Sequence, residues 1–274
     1  MIWLLLSACG GDKTEAVADC STGEELTAVL NVVAYTRRKD GVVWGFNLDD
    51  HVSDDNDWEG CSHEDLIDPA GNEGIDNAFS GLIPALEATE ASAVEDLIQD
   101  SVNNGELLLM VKLTGIDDFD NDDCVSLEFT RADGAPIMGT DGEMLDGQSF
   151  GRSEFPPYAY VEQTTITDGV VDVRGVPLFL PLQVLDVELE FDMPEGAVRL
   201  AVSEDGIMTG VFGGGVSNSD ILRIVEEGDL GDIRELVTTL VTSAADLEPD
   251  EDGVCQELSV AFQFETTPAF FYGE

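Results

Sequence analysis

Basic side chains are scarce in this chain of 274 residues. Eleven Lys and Arg stand against 58 Asp and Glu, giving a formal net charge of −47. Lysine occurs only as Lys13, Lys39 and Lys112. Such a surface repels DNA, RNA and anionic lipid headgroups, so no nucleic-acid partner is expected. It attracts divalent cations and basic partners, and it also suits a protein kept dissolved in salty water. Apolar runs long enough to span a bilayer are missing too. So are a C-x-x-C pair, which sets aside redox and zinc-ribbon chemistry, and a solenoid repeat.

Histidine is nearly absent, with only His51 and His63. Zinc at Cys61, His63 and His51 would be short of ligands, and it fails if Cys61 is in a disulfide. "GQSFG" (147–151) matches G-x-S-x-G around Ser149. It lacks the apolar strand before it and the helix after it that a nucleophile elbow needs, and both histidines precede it. "GGG" (213–215) lacks the Walker lysine and reads as a tight strand-to-helix turn.

What is present begins at the N-terminus. Leu6-Ser7-Ala8-Cys9 resembles a bacterial lipobox, in which the chain is cut before a lipid-bearing Cys. Residues 1–8 therefore read as a lipoprotein signal peptide, shorter than usual and without a basic start, hence truncated. Residues 9–24 read as the lipidated Cys9 and a polar tether, and 25–274 as one extracytoplasmic β-rich domain. The expected location is the bacterial cell envelope, the outer membrane before the inner one. The four other cysteines, Cys20, Cys61, Cys124 and Cys255, make an even set that predicts two disulfides. Cys124–Cys255 is the favoured pair, because both follow acidic loops and open core strands.

Hydrophobic residues make up 43% of the chain, enough for a real core. Apolar and alternating runs predict strands at 26–36, 42–46, 106–115, 125–134, 185–193, 197–203, 207–215 and 255–264. Asp-Gly pairs at 40–41, 133–134, 141–142, 146–147 and 205–206 mark turns. Helical spacing predicts a helix over 80–103 with Ser80 as cap, a short one near 219–227, and one over 229–245 with Asp229 as cap. The fold class is α+β: mostly antiparallel β, with sandwich-like sheets and two or three helices packed at one side.

Three acidic loops share a form. Asp55, Asp57 and Glu59 precede Cys61; Asp118, Asp120 and Asp122 precede Cys124; Glu248, Asp250 and Asp252 precede Cys255. Acids at alternate positions of a turning loop suit a hard cation, and Ca²⁺ is the candidate, with Asn47 and Asp49 assisting the first loop. The Glu that would complete an EF-hand is replaced by Leu66, Phe129 and Ser259. Solvated loops are the plain alternative in so acidic a chain.

"GFNLDDHVSDDNDWEGC", "DPAGNEGIDNAFSGLIPALE", "LPLQVLDVELEF", "GVFGGGV" and "DGVCQELSVAFQFETTPAFF" together resemble a family of secreted lipoproteins of myxobacterial-type bacteria. The resemblance covers most of 26–272 and implies export, anchoring and one shared architecture, with no catalytic residue to carry over. Two functions follow as expectations. One is an anchored, disulfide-stapled, Ca²⁺-binding lipoprotein that holds a glycan or protein ligand. The other is a secreted carboxylate-dependent hydrolase acting on polysaccharide.

Overall fold

The computed structural model describes residues 20, 22–54, 56–57, 61–88, 94–154, 159–184, 187–227 and 234–273. In chain order the strands are β1 (Glu24–Tyr35), β2 (Leu66–Ile67), β3 (Glu73–Ile75), β4 (Leu109–Ile116), β5 (Asn121–Asp133), β6 (Gln148–Arg152), β7 (Ala159–Thr167), β8 (Val170–Val184), β9 (Val187–Ala201), β10 (Thr209–Ser217), β11 (Leu247–Pro249) and β12 (Cys255–Phe271). The helices are α1 (Phe79–Glu87), α2 (Val94–Asn104), α3 (Asn218–Glu227) and α4 (Arg234–Ala244).

Eight strands close a ring in the order β1-β4-β5-β7-β8-β9-β10-β12, because β12 pairs with both β10 and β1 and β5 pairs with β7. The α+β class holds, but the large sheet closes on itself into a barrel-like ring instead of facing a second one. Closure suits these strands, since it leaves fewer open edges than two stacked sheets would. All ring neighbours are antiparallel, and tight turns explain why. At Asp168-Gly169 both residues have positive φ, 51° and 76°, as a two-residue hairpin requires, and Thr167 pairs with Val170 across it. Asp40-Gly41 makes the same turn, with φ of 53° and 80°. The β6 strand lies outside the ring and bridges β5 to the end of β12.

Alternation fills the ring. Leu258, Val260, Phe262 and Phe264 of β12 point inward and join the main core, as the sequence pattern predicts. Phe212 stacks on Phe262 with centroids 5.3 Å apart, and Phe129 lies 5.6 Å from Phe212, so the middle of the ring is packed with aromatic side chains. The glycine run at 213–215 lies inside β10, not in a turn as expected. A Cβ on Gly213 would stand 2.3 Å from the Val260 carbonyl oxygen, so the close approach of β12 demands glycine there.

The helices gather at one end of the ring. The segments before α1 and α3 leave β1 and β10 at that end, and β4 and β12 start again from it. The α2 helix packs against both β1 and β8, on opposite sides of the ring, and buries Ile98 and Val102 in the core. It thereby covers one mouth. Gln99 and Glu95 accept hydrogen bonds from the backbone N–H groups of Val33 and Tyr35, which β4 leaves unpaired beyond Val29. Arg37 ties the two helices together by bonding Glu87 on α1 and Glu95 on α2. The single helix expected over 80–103 is thus two helices, with 89–93 outside the described residues. Ser80 does not cap α1: Ala78 holds that position, and Ser80 sits inside the helix bonded to Asn77. The expected cap Asp229, residues 1–19 with Cys9, and the side chains of 181–190 lie outside what is described. Among the described residues no helix is long and apolar enough to cross a membrane.

Two disulfides are present, but not in the favoured pairing. Cys20 joins Cys124 with Cα atoms 5.0 Å apart, and Cys61 joins Cys255 at 5.9 Å. Cys124 and Cys255 both stand near the start of a strand, yet β5 and β12 start at opposite ends of the ring. That places them too far apart to bond. Peptide mapping under non-reducing conditions should recover 20–124 and 61–255 cross-links. Replacing Cys61 and Cys255 by Ser should cost about 2–5 kcal/mol of stability, read from denaturant unfolding. A 124–255 cross-link would contradict the topology.

Candidate functional site

Between β1 and α1 the chain makes a flap, residues 36–77, that lies on the outer wall of the ring. Its anchor is Phe46, which packs on Ala197, Val211 and Ala261, outward-facing residues of β9, β10 and β12. The Arg199 guanidinium lies 5.4 Å from the Phe46 ring centre and bonds Asp172 at 2.7 Å and Asp68 at 3.3 Å. One cation therefore links wall, flap and strand β8. Asp68 also accepts hydrogen bonds from Ala70 N–H, Asn72 N–H and the Asn72 side chain, all within 2.9 Å. Burial pushes its carboxyl up, but those donors and the Arg199 charge outweigh burial and hold it below the usual carboxylate range.

A group of acids is enclosed where the flap meets the ring. Asp76, 4% exposed, accepts a 2.6 Å hydrogen bond from Leu48 N–H. Asp65 accepts one of 2.6 Å from Ser53 N–H and shares a hydrogen bond with Asp76. Asp246, 8% exposed, accepts from the N–H and hydroxyl of Ser259, whose oxygen accepts from Ala78 N–H. Burial pushes Asp76 up to about 9, with the charges of Asp49, Asp246 and Asp65 adding to it. Burial pushes Asp246 up to about 7 and raises Asp65 as well. A proton is therefore retained in this group at neutral pH, as a shared bond between two carboxyls requires.

The acidic loops behave differently from one another. Asn47 donates to the His51 carbonyl at 2.7 Å, Asp49 accepts from His51 N–H at 2.9 Å, and Asp57 lies 2.7 Å from His51 Nε2. Asp55 and Glu59 lie outside the described residues. In the second loop Asp118 accepts from the N–H groups of Asp120 and Asn121, and Asp122 from those of Asp117, Asp118 and Cys124. In the third, Asp250 accepts from Asp252 N–H, Val254 N–H and the Gln256 side chain. Glu248 there has a positive φ of 55°. The Cys61–Cys255 disulfide brings the first and third loops together. The second lies at the other end of the ring, beside Cys20–Cys124. Among the described residues, no three His, Cys, Asp or Glu side chains form a group able to hold a metal ion.

Beside the flap lies a half-open groove of about 300 Å³. Two rows of outward-facing residues that pair across the strands build its floor. Val32, Glu265, Thr209, Ala201 and Val170 form the first row. The second contains Gln263, Val211 and Arg199. Trp44, on the flap and 40% exposed, forms the wall. Small residues at Ala201 and Thr209 create the depression, and larger Gln263, Glu265 and Trp44 rim it. Among the described residues Glu265 is the one carboxylate that lines it.

The sequence reading found none of these groove residues, nor Asp65, Asp68, Asp76 or Asp246. Alternation assigns Gln263 and Glu265 to the polar face of β12, but not which residues of β1, β8, β9 and β10 stand beside them. Ser149, of the G-x-S-x-G match, lies in β6 paired with Phe270 and offers no nucleophile geometry. No family model matches this chain, and no curated protein or solved structure does either. The functional reading therefore rests on geometry.

The enclosed acids set the pH dependence of the fold. An unfolded Asp loses its proton near pH 3.9. In the folded chain Asp246 keeps it to about 7 and Asp76 to about 9. The unfolded state thus binds fewer protons over that span, and stability falls as pH rises from about 4 to about 9. Asp68 acts oppositely: held low, its contribution is lost only as pH drops through its folded value, below the usual range. The thermal midpoint should decline between about pH 5 and about pH 9, and Asp76→Asn should flatten that decline. An unchanged slope in the variant would remove Asp76 from the account.

Proposed function

We propose that this chain is an exported binding domain, anchored through a lipid on Cys9, whose ligand occupies the outer-wall groove beside Trp44. The carrying observation is the separation of groove from buried acids. Among the described residues the groove offers an exposed indole, mixed polar side chains and a single carboxylate, Glu265. Three acids with raised pKa values stand apart from it: Asp76 and Asp65 are bonded to flap N–H groups, and Asp246 to Ser259 N–H of β12. Carboxylate-dependent glycoside hydrolysis needs two carboxyls flanking the bond to be cleaved, and one lining acid does not supply them. Binding is therefore favoured over the hydrolase.

Export is supported by two disulfides, which persist in oxidising compartments. The lipobox-like run and the resemblance to secreted lipoproteins support the anchor. Cys20 fixes the first described residue at the end of the ring opposite the helices, so the tether joins there. Calcium in the acidic loops remains part of this proposal. Its support is the run of alternating acids in the sequence, and a rise of the thermal midpoint with millimolar Ca²⁺ at constant ionic strength is its test.

The full chain, expressed with its natural signal sequence, should partition into detergent, and Cys9→Ala should leave it in the aqueous phase or unprocessed. The purified chain should be retained on isolated cell-envelope fragments without releasing reducing sugar. Trp44→Ala should lower that retention while the thermal midpoint stays within a few degrees. Retention that ignores Trp44, or steady release of reducing ends, would overturn the groove-binding reading.

A further inference from the structure

The chemistry of the groove narrows its ligand. Its floor is centred on strands paired on both sides, with β12 between β1 and β10 and β9 between β8 and β10, while the side of β1 that β4 leaves beyond Val29 is taken by Gln99 and Glu95 of α2. No backbone edge is exposed there, so an extended peptide could not add itself as a strand. What the groove offers is side chains. Glu265 accepts, while Gln263 and Thr209 both donate and accept. Gln263 and Glu265 stand two residues apart on one face of β12, about 7 Å along the strand. Neither side chain spends a hydrogen bond on a described neighbour, so both keep their capacity for a ligand.

The Trp44 indole adds a flat apolar face beside these polar groups. A ligand that matches both must be flat, apolar on one face, and rimmed by groups that donate and accept at once. A pyranose ring has that form: axial C–H bonds cover one face and hydroxyls surround the edge. A lipid chain would leave Gln263, Glu265 and Thr209 desolvated without partners.

Charge settles the substituents. The chain carries −47, and Glu265 places a carboxylate in the groove itself. The Arg199 charge is already matched by Asp172 and Asp68. A uronate or sulfated sugar would meet net negative potential. An uncharged sugar would not, and an amino sugar would be attracted to Glu265. The volume, about 300 Å³, is at the lower end of ligand pockets and suits a short stretch of chain, not a branched cluster.

We infer that the groove is a saccharide subsite, taking an uncharged or amino-substituted pyranose of a polysaccharide with its C–H face on Trp44. This rests on the groove being the binding site. The test is calorimetric titration of the full chain with the hexasaccharides of cellulose, chitin, chitosan and polygalacturonate. At least one of the first three should bind, and the galacturonate should not. Trp44→Ala and, independently, Gln263→Ala should each weaken binding about tenfold, a loss of about 1.4 kcal/mol per tenfold. Glu265→Gln should weaken chitosan more than the neutral sugars. The Gln263 variant, at an exposed strand position, guards against a folding defect in the Trp44 variant. Binding of galacturonate alone, or of no sugar while envelope retention still depends on Trp44, would overturn the sugar class and leave the groove standing. Sugar binding that ignores both variants would overturn the groove itself.

Discussion

The pairing of β12 on both of its sides is the constraint on which the rest depends. The last strand inserts between β10 and β1, and with that the ring is closed. Closure turns Leu258, Val260, Phe262 and Phe264 toward one aromatic core. It also fixes the opposite face. Ala261, Gln263 and Glu265 must then point outward, and they fall in register with Val211 and Thr209 of β10. The flap needs that outer face to lie on, and the groove needs it for a floor. A one-residue slip of β12 would send Gln263 and Glu265 into the core and destroy both.

The flap is held by a second set of forces, and they explain how so acidic a chain tolerates a buried surface. Many of the described acids lie in turns, where some bond nearby N–H groups, as Asp118 and Asp250 do. Asp65, Asp76 and Asp246 are exceptions. Asp65 and Asp76 bond within the flap, Asp246 bonds Ser259 of β12, and burial leaves all three reluctant to ionise. Retained protons lower the repulsion that these three neighbouring carboxylates would otherwise generate in a region poor in water. Arg199 performs the complementary task on the other margin, where Asp68 stays ionised because a guanidinium and three hydrogen bonds surround it. The Cys61–Cys255 disulfide adds a covalent stitch between the flap and the start of β12.

Much of this was legible in the sequence. Strict alternation located β12, and Asp-Gly pairs located the turns at 40–41 and 205–206, because both signals are local. The even cysteine count gave two disulfides. Pairing was not legible, since it depends on which end of a closed ring each strand begins, and that is a property of topology. The sandwich expectation failed for the same reason: alternation tells which face is buried, not whether the sheet curls until its edges meet. Buried acids left no mark either. In a chain with 58 of them, Asp76 and Asp246 resemble the solvated ones until the flap closes over them. Trp44 falls in the apolar run 42–46, which reads as a strand, and its partners Gln263 and Glu265 are more than two hundred residues away.

The central claim is that this outer wall, between the flap and β12, is where the molecule meets its ligand. Amide hydrogen exchange of the full chain, with and without a saturating oligosaccharide, reads that location directly. The account predicts added protection in the flap around 42–46 and in the strand segments 199–201, 209–211 and 263–265. Protection confined to the acidic loops at 117–123 and 248–254, with the flap unchanged, would contradict it.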